Sequence, residues 1–219
     1  MPGRYYDSEV SLAASCPRCT SPITDADGHF TCLVHGTIHP LWRPAVADYA
    51  TFAELVGRSE DLPTYLPWPM SPGWSIADFG CVASADRTFA TVTTTVGSSD
   101  LDGSVEVTVI AEDPGVGLGA RCAGTAYDDP GEQIGLGPHA IHVRAAGRAV
   151  PLWAVDSSIE DDLLAKSVFA GEAEGRWLWL VIRPASAALL LRDEWLLADV
   201  TGFGPEALEM PFGGARPSW

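Results

Sequence analysis

Lysine is all but missing: Lys166 is the single one in 219 residues. With arginine included, 13 basic residues face 29 acidic ones, for a formal net charge of -16. A surface of that sign repels phosphate backbones and anionic headgroups, so neither nucleic acid nor a membrane surface is an expected partner. Long apolar runs are missing as well. The most hydrophobic stretch, "WLWLVIRPASAALLL" (177–191), is interrupted by Arg183 and Pro184, well short of the ~20 apolar residues that a bilayer span requires. "MPGRYYDSEVSLAAS" at the start has no apolar core of a secretory signal, and a soluble, cytoplasmic protein is expected. Charged residues are sparse at 19%, against 47% hydrophobic, which excludes wholesale disorder and leaves enough apolar material for a proper core. Cysteine is scarce too. Five thiols in a reducing compartment are poor disulfide material and better metal ligands.

Three of those five fall within "CPRCTSPITDADGHFTCLVHG" (16–36). Cys16, Cys19, Cys32 and His35 form C-x2-C-x12-C-x2-H. Each two-residue knuckle offers two donors from one tight turn, and the intervening segment, with turn residues Asp25 to Gly28, suffices for a hairpin that brings the knuckles together. This is the spacing of a Cys3His zinc ribbon. Four protein donors fill a tetrahedron, so the zinc is expected to be structural. A redox pair at Cys16 and Cys19 would leave the second knuckle unexplained. His39 is a rival fourth ligand, but His35 has the knuckle spacing. Residues 1–43 carry Arg4, Arg18 and Arg43 against Asp7, Glu9, Asp25 and Asp27, with no basic stripe, so the ribbon suits a protein contact rather than nucleic acid.

A second candidate is the glycine-rich loop 113–121 within "AEDPGVGLGARCAG". Gly115, Gly117 and Gly119 could turn successive backbone N–H groups toward a phosphate or carboxylate, with Arg121 adding charge. No phosphate-loop pattern is completed, because no lysine follows; a crossover turn is the plainer reading. Asp128, Asp129, Glu132, His139 and His142 could be assembled into a further metal site only if the fold gathered them, and nothing in their spacing does so.

The order of elements follows from periodicity. Residues 1–15 are expected as a flexible tail, 16–43 as the ribbon, 44–73 as a helix and a proline-rich connector, 74–201 as the main domain and 202–219 as an irregular tail. Val46, Tyr49, Phe52, Ala53 and Val56 recur at helical spacing behind Pro44. "WSIADFGCVA", "TFATVTTTVG" and "SVEVTVIAED" are rich in β-branched residues and alternate as strands. "AIHVRAAGRAVPLWAV" predicts a hairpin, "SSIEDDLLAKSVFAG" a capped short helix at Ser157, "RWLWLVIRP" an apolar strand and "ASAALLLRD" a helix. The class expected is α+β: a small ribbon, then a mainly antiparallel sheet with a few helices. Eight tryptophans are many for this length. Core filling accounts for most, and an exposed aromatic groove is the functional alternative.

"CPRC", "LPWP", "EDPGVGLGARCAG", "PLWAV", "VFAGEAEGRWLWLVIRPASAALLL" and "MPFGG" resemble an uncharacterised family of actinobacterial proteins headed by a zinc-ribbon-like unit. Some members carry the name phosphotransacetylase, an activity housed in a much larger two-domain α/β fold that this chain's length and strand order do not match. The resemblance implies a cytoplasmic protein and carries over no catalytic residue. The expectation is therefore a zinc-containing, non-enzymatic binding or adaptor protein that meets another protein. The alternative is a small-ligand or phosphate-type anion binder, or an acyl-phosphate enzyme, using loop 113–121.

Overall fold

A computed structural model describes residues 12–59, 61–156, 166–192, 195–203, 209–217 and 219. In chain order its first part holds β1 (Leu12–Ser15), β2 (Ile23–Ala26), β3 (His29–Cys32), β4 (Gly36–Ile38), β5 (Leu41–Pro44), α1 (Tyr49–Arg58) and β6 (Tyr65–Pro67). Then come β7 (Ser75–Ala83), β8 (Thr88–Ser99), β9 (Gly103–Glu112), α2 (Leu118–Ala123), β10 (Ile141–Ala145) and β11 (Arg148–Ala154). β12 (Ser167–Ala173), β13 (Arg176–Arg183), a 3-10 helix (Ala185–Arg192) and β14 (Trp195–Asp199) complete the order. The expected helix at Ser157 lies outside the described residues.

Eleven strands form one sheet in the order β1-β5-β7-β8-β9-β13-β12-β11-β10-β14-β6, and β2-β3-β4 form a small second one. Every pairing among the described strands is antiparallel except β10 with β14. The chain is thus mostly β with few helices. No described helix is long and apolar enough to cross a membrane.

The β7–β8–β9 meander is set by alternation. Val105, Val107, Val109 and Ala111 of β9 turn to one face and Ile110 to the other, each buried. The first face meets Leu178, Leu180 and Ile182 of β13, Leu152 of β11, Val143 of β10 and Leu197 of β14 in one core. On the opposite face Trp179, Val181, Ile110 and Val92 lie under Leu118, Cys122 and Ala123 of α2. A third core packs Phe52 and Leu55 of α1 on Ile76, Phe79 and Cys81 of β7.

Two threonine hydroxyls tie the two parts of the sheet together. Thr91 and Thr93 are buried on one face of β8, and a buried hydroxyl needs an acceptor. Thr91 Oγ1 donates to the Pro63 carbonyl and Thr93 Oγ1 to the Tyr65 carbonyl, each at 2.6 Å. β6, last in the sheet order, is thereby stitched to a middle strand.

Several boundaries differ from the periodicity. Residues 12–15, expected as tail, are β1 and pair with β5. The helix begins at Asp48, not Pro44: Asp48 Oδ1 accepts the Thr51 N–H while Thr51 Oγ1 accepts the Asp48 N–H, a reciprocal cap that fixes the first turn. Val46 therefore precedes the helix and is exposed, and Leu55 takes the place in the core that Ala53 was given. The proline connector contains β6, since Pro67 sits at a sheet edge where no N–H is needed. The C-terminal stretch is irregular yet packed. The Pro211 carbonyl accepts the Ile76 N–H, the Gly213 N–H returns to the Ile76 carbonyl, and Trp219 joins the α2-side core. The hairpin β10–β11 turns at Ala146 and Gly147, both with positive φ (49° and 75°), the handedness that matches strand twist.

Candidate metal centre

The Cys/His unit is an insertion between the edge strand β1 and its neighbour β5. β1 runs into the first knuckle, and after β2-β3-β4 the chain re-enters the large sheet as β5. Asp27 and Gly28 make the β2–β3 turn with φ of 53° and 81°, so a two-residue loop closes it. That register puts Cys32 at the end of β3, opposite Ile23.

Cys16, Cys19, Cys32 and His35 converge, with one donor atom from each lying within 4.8 Å of all the others. His35 Nδ1 is 3.5 Å from Cys16 Sγ, 3.4 Å from Cys19 Sγ and 3.7 Å from Cys32 Sγ, and Cys19 Sγ is 3.6 Å from Cys32 Sγ. An ion bonded at about 2.0–2.3 Å in a tetrahedron sets its donors about 3.5–3.8 Å apart. The cluster therefore has the shape and donor set to hold a metal. All five cysteines are free thiols. His39 is elsewhere, its ring stacked on Phe89 at 4.0 Å.

Backbone amides tune the thiols. Burial pushes Cys16 up to about 11, against the pull of the Arg18 and Cys19 N–H groups. At Cys32 burial also raises, but the Val34 and His35 N–H groups win and bring the thiol below its ordinary value. Cys19 falls likewise: burial raises it, and the Ser21 hydroxyl and N–H bring it down. A bound cation would complete the deprotonation of all three.

The unit is clamped to the sheet by the glycine-rich loop. Arg18 Nε donates to the Val116 carbonyl at 3.1 Å, another Arg18 nitrogen to the Gly115 carbonyl at 2.5 Å, and Arg18 pairs with Asp128 at 3.3 Å. Arg121 Nη1 donates at 2.5 Å to the carbonyl of Cys16, one of the four clustered residues. Arg121 and Arg43 also both lie over the Trp219 ring, at 5.6 and 3.8 Å. Arg121→Ala should cost about 1.5–3 kcal/mol, the worth of a charged hydrogen bond. A thermal melt, together with faster amide exchange over residues 16–41 at unchanged metal content, is the measurement.

The four residues expected to cradle an anion make contacts within the chain. Gly115 N–H donates to Asp129 Oδ1 at 2.8 Å. Glu112, fully buried, accepts the Leu118 N–H at 2.9 Å and the Gly119 N–H at 3.2 Å, and so caps α2 with the chain's own carboxyl group. Gly117 adopts φ +82°, and its missing Cβ leaves space for Asp128 and Arg18. Gly119 is demanded by contact: a Cβ there would sit 2.2 Å from Trp179 Nε1. Gly119→Ala should destabilise by about 1–3 kcal/mol, as overpacking does, read from the shift of the urea midpoint. Of the second set, Asp128 and Asp129 are engaged as above, and no group beyond the four-residue cluster gathers three or more metal donors among the described residues.

Glu112 escaped the sequence reading because a strand-end glutamate looks exposed; its signal is the glycine run that begins three residues on. Over residues 10–219 the chain matches the model of a family described as one of unknown function. It belongs to DUF6758. No curated protein and no solved structure matches it. The DUF6758 span takes in the metal unit, the clamp loop and the whole sheet.

Proposed function

We propose that this DUF6758 member is a non-enzymatic binding protein organised by a structural zinc ion on Cys16, Cys19, Cys32 and His35. The observation that carries the reading is the closed donor set, with three sulfurs and one imidazole nitrogen at tetrahedral spacing. Thiolate and imidazole donors in a tetrahedron favour zinc. Three thiolates against a dication leave one net negative charge, and Arg18 and Arg121 dock beside it. No position remains for water or substrate, so the ion holds the insertion in shape and does no chemistry. The other thiols are poor nucleophiles: burial pushes Cys81 up to about 12 and raises Cys122 as well. The amides that an anion would use at Gly115 and Gly119 are already paired. A protein partner suits the surface, because Leu33 and Val34 between Cys32 and His35 are 77% and 66% exposed.

Cobalt substitution tests the closed centre. The thiolate–cobalt absorption of a four-coordinate site should not change on adding azide. A spectrum that shifts with azide would show an open position and sink the structural reading.

A further inference from the structure

We propose that the groove between the proline-rich connector and the β8–β9 turn docks a proline-rich peptide segment that carries an arginine or lysine. This rests on the binding-protein reading above and names the surface and the partner chemistry for it.

The groove encloses about 760 Å³, within the range of ligand-binding clefts. Three stretches line it: residues 67–72 with Trp74, the turn at 98–101, and Leu190 with Trp195 and Leu196. None is a metal ligand, so the site is separate from the Cys/His unit. Three of the eight tryptophans meet here, half-buried, each seated by a specific contact. Trp195 Nε1 donates to the Leu190 carbonyl at 3.0 Å. Trp74 stands edge-on to Trp195 at 6.5 Å and 87°, and Gly97 makes room for it, since a Cβ there would sit 2.3 Å from the indole. Trp68 packs edge-on against Phe203 at 5.4 Å. Rings fixed before binding lose little entropy on contact, which is how aromatic anchors gain affinity.

The backbone chemistry decides the shape of the occupant. Pro67, Pro69 and Pro72 bring no N–H to the groove, and the Trp68 N–H is spent on the Leu196 carbonyl. A strand laid along that side would find few donors for a ladder. A polyproline II segment needs none, because its own backbone stays solvated and its prolines stack on aromatic faces. Charge then decides the composition. Among the described residues, Asp100 is the one charged member of the lining and pairs with no cation. On a chain of net charge -16 this favours a cationic residue beside the prolines and opposes phosphate-bearing ligands. Leu101, 90% exposed at the turn, adds an apolar contact beside it.

The test is a titration of the full, metal-loaded chain with an arginine-flanked polyproline peptide, followed by tryptophan fluorescence and calorimetry. Saturable binding at about 10⁻⁵–10⁻⁴ M is expected. Trp74→Ala and Trp68→Ala should each weaken it about tenfold or more. Asp100→Asn, at an exposed turn where folding is not at stake, should weaken the arginine peptide about two- to fivefold and leave uncharged polyproline unaffected. The proposal is overturned if the probe does not saturate, if a valine/threonine peptide of equal charge binds as well, or if all three variants bind like the parent. The cobalt spectrum of the same preparation reports on the closed centre independently. A null titration with that centre intact therefore removes the groove proposal alone.

Discussion

Cys32→Ser should empty the proposed metal centre. A serine hydroxyl is a hard, neutral donor in place of a thiolate, and Cys32 closes the second knuckle with His35 at 3.7 Å. Structural zinc contributes about 10–16 kcal/mol to the folding of small metal units, so metal content should fall from one equivalent to about a tenth of that or less. The consequence is local first. Residues 16–41 contribute few buried apolar groups of their own, with Cys16, Cys32 and Leu41 among them, so without the ion little holds β2-β3-β4 together. Their amide protons should exchange freely, while the cores built on β9, β13 and α1 keep their protection. Because the unit returns to the sheet through β5 and bonds to Arg121 through the Cys16 carbonyl, the melting temperature of the whole chain should drop too. Metal analysis and exchange mass spectrometry on the variant are the checks. A full equivalent of metal retained would refute the ligand set.

Glu112→Gln changes how stability depends on pH. Burial pushes the Glu112 carboxyl from 4.5 up to about 8, against the pull of the Gly119 and Leu118 N–H groups. Between those two values the folded chain holds a proton that the unfolded chain releases. Stability contributed by this group therefore falls as pH rises through the window, by as much as about 5 kcal/mol. Glutamine keeps the size and one carbonyl acceptor for the α2 amides but cannot ionise. The variant should be less stable than the parent at about pH 6, by about 1–2 kcal/mol, and more stable than it at about pH 8.5. Urea midpoints of both proteins at the two pH values measure the crossover. Parallel pH profiles would show that Glu112 is not a proton-holding group.

Much of the fold was legible because its strands are strongly patterned. Val105, Val107 and Val109 alternate without interruption, and "VRAAGRAV" carries its turn in Ala146 and Gly147. The donor cluster was legible for a similar reason: two-residue knuckles constrain local geometry, so spacing alone gathers Cys16 with Cys19 and Cys32 with His35. What stayed hidden is long-range. Nothing local says that Thr91 reaches Pro63, that β1 pairs with β5 rather than trailing as a tail, or that Arg18 and Arg121 join the Cys/His unit to loop 113–121. The helix start was a local miss: Pro44 suggested it, but Asp48 and Thr51 form the cap three residues apart with threonine in place of the usual glutamate. The glycine loop shows the limit of motif reasoning most clearly. Glycines that free backbone amides for an acceptor look the same in sequence whether that acceptor belongs to a ligand or, as here, to the Glu112 carboxyl group.

X-ray absorption at the zinc edge, on protein purified without chelator, tests the central claim most directly. The account predicts one zinc per chain with three sulfur scatterers at about 2.3 Å and one nitrogen at about 2.0–2.1 Å. A centre with fewer than three sulfurs, or with an added oxygen at an open position, would contradict a closed structural site on Cys16, Cys19, Cys32 and His35.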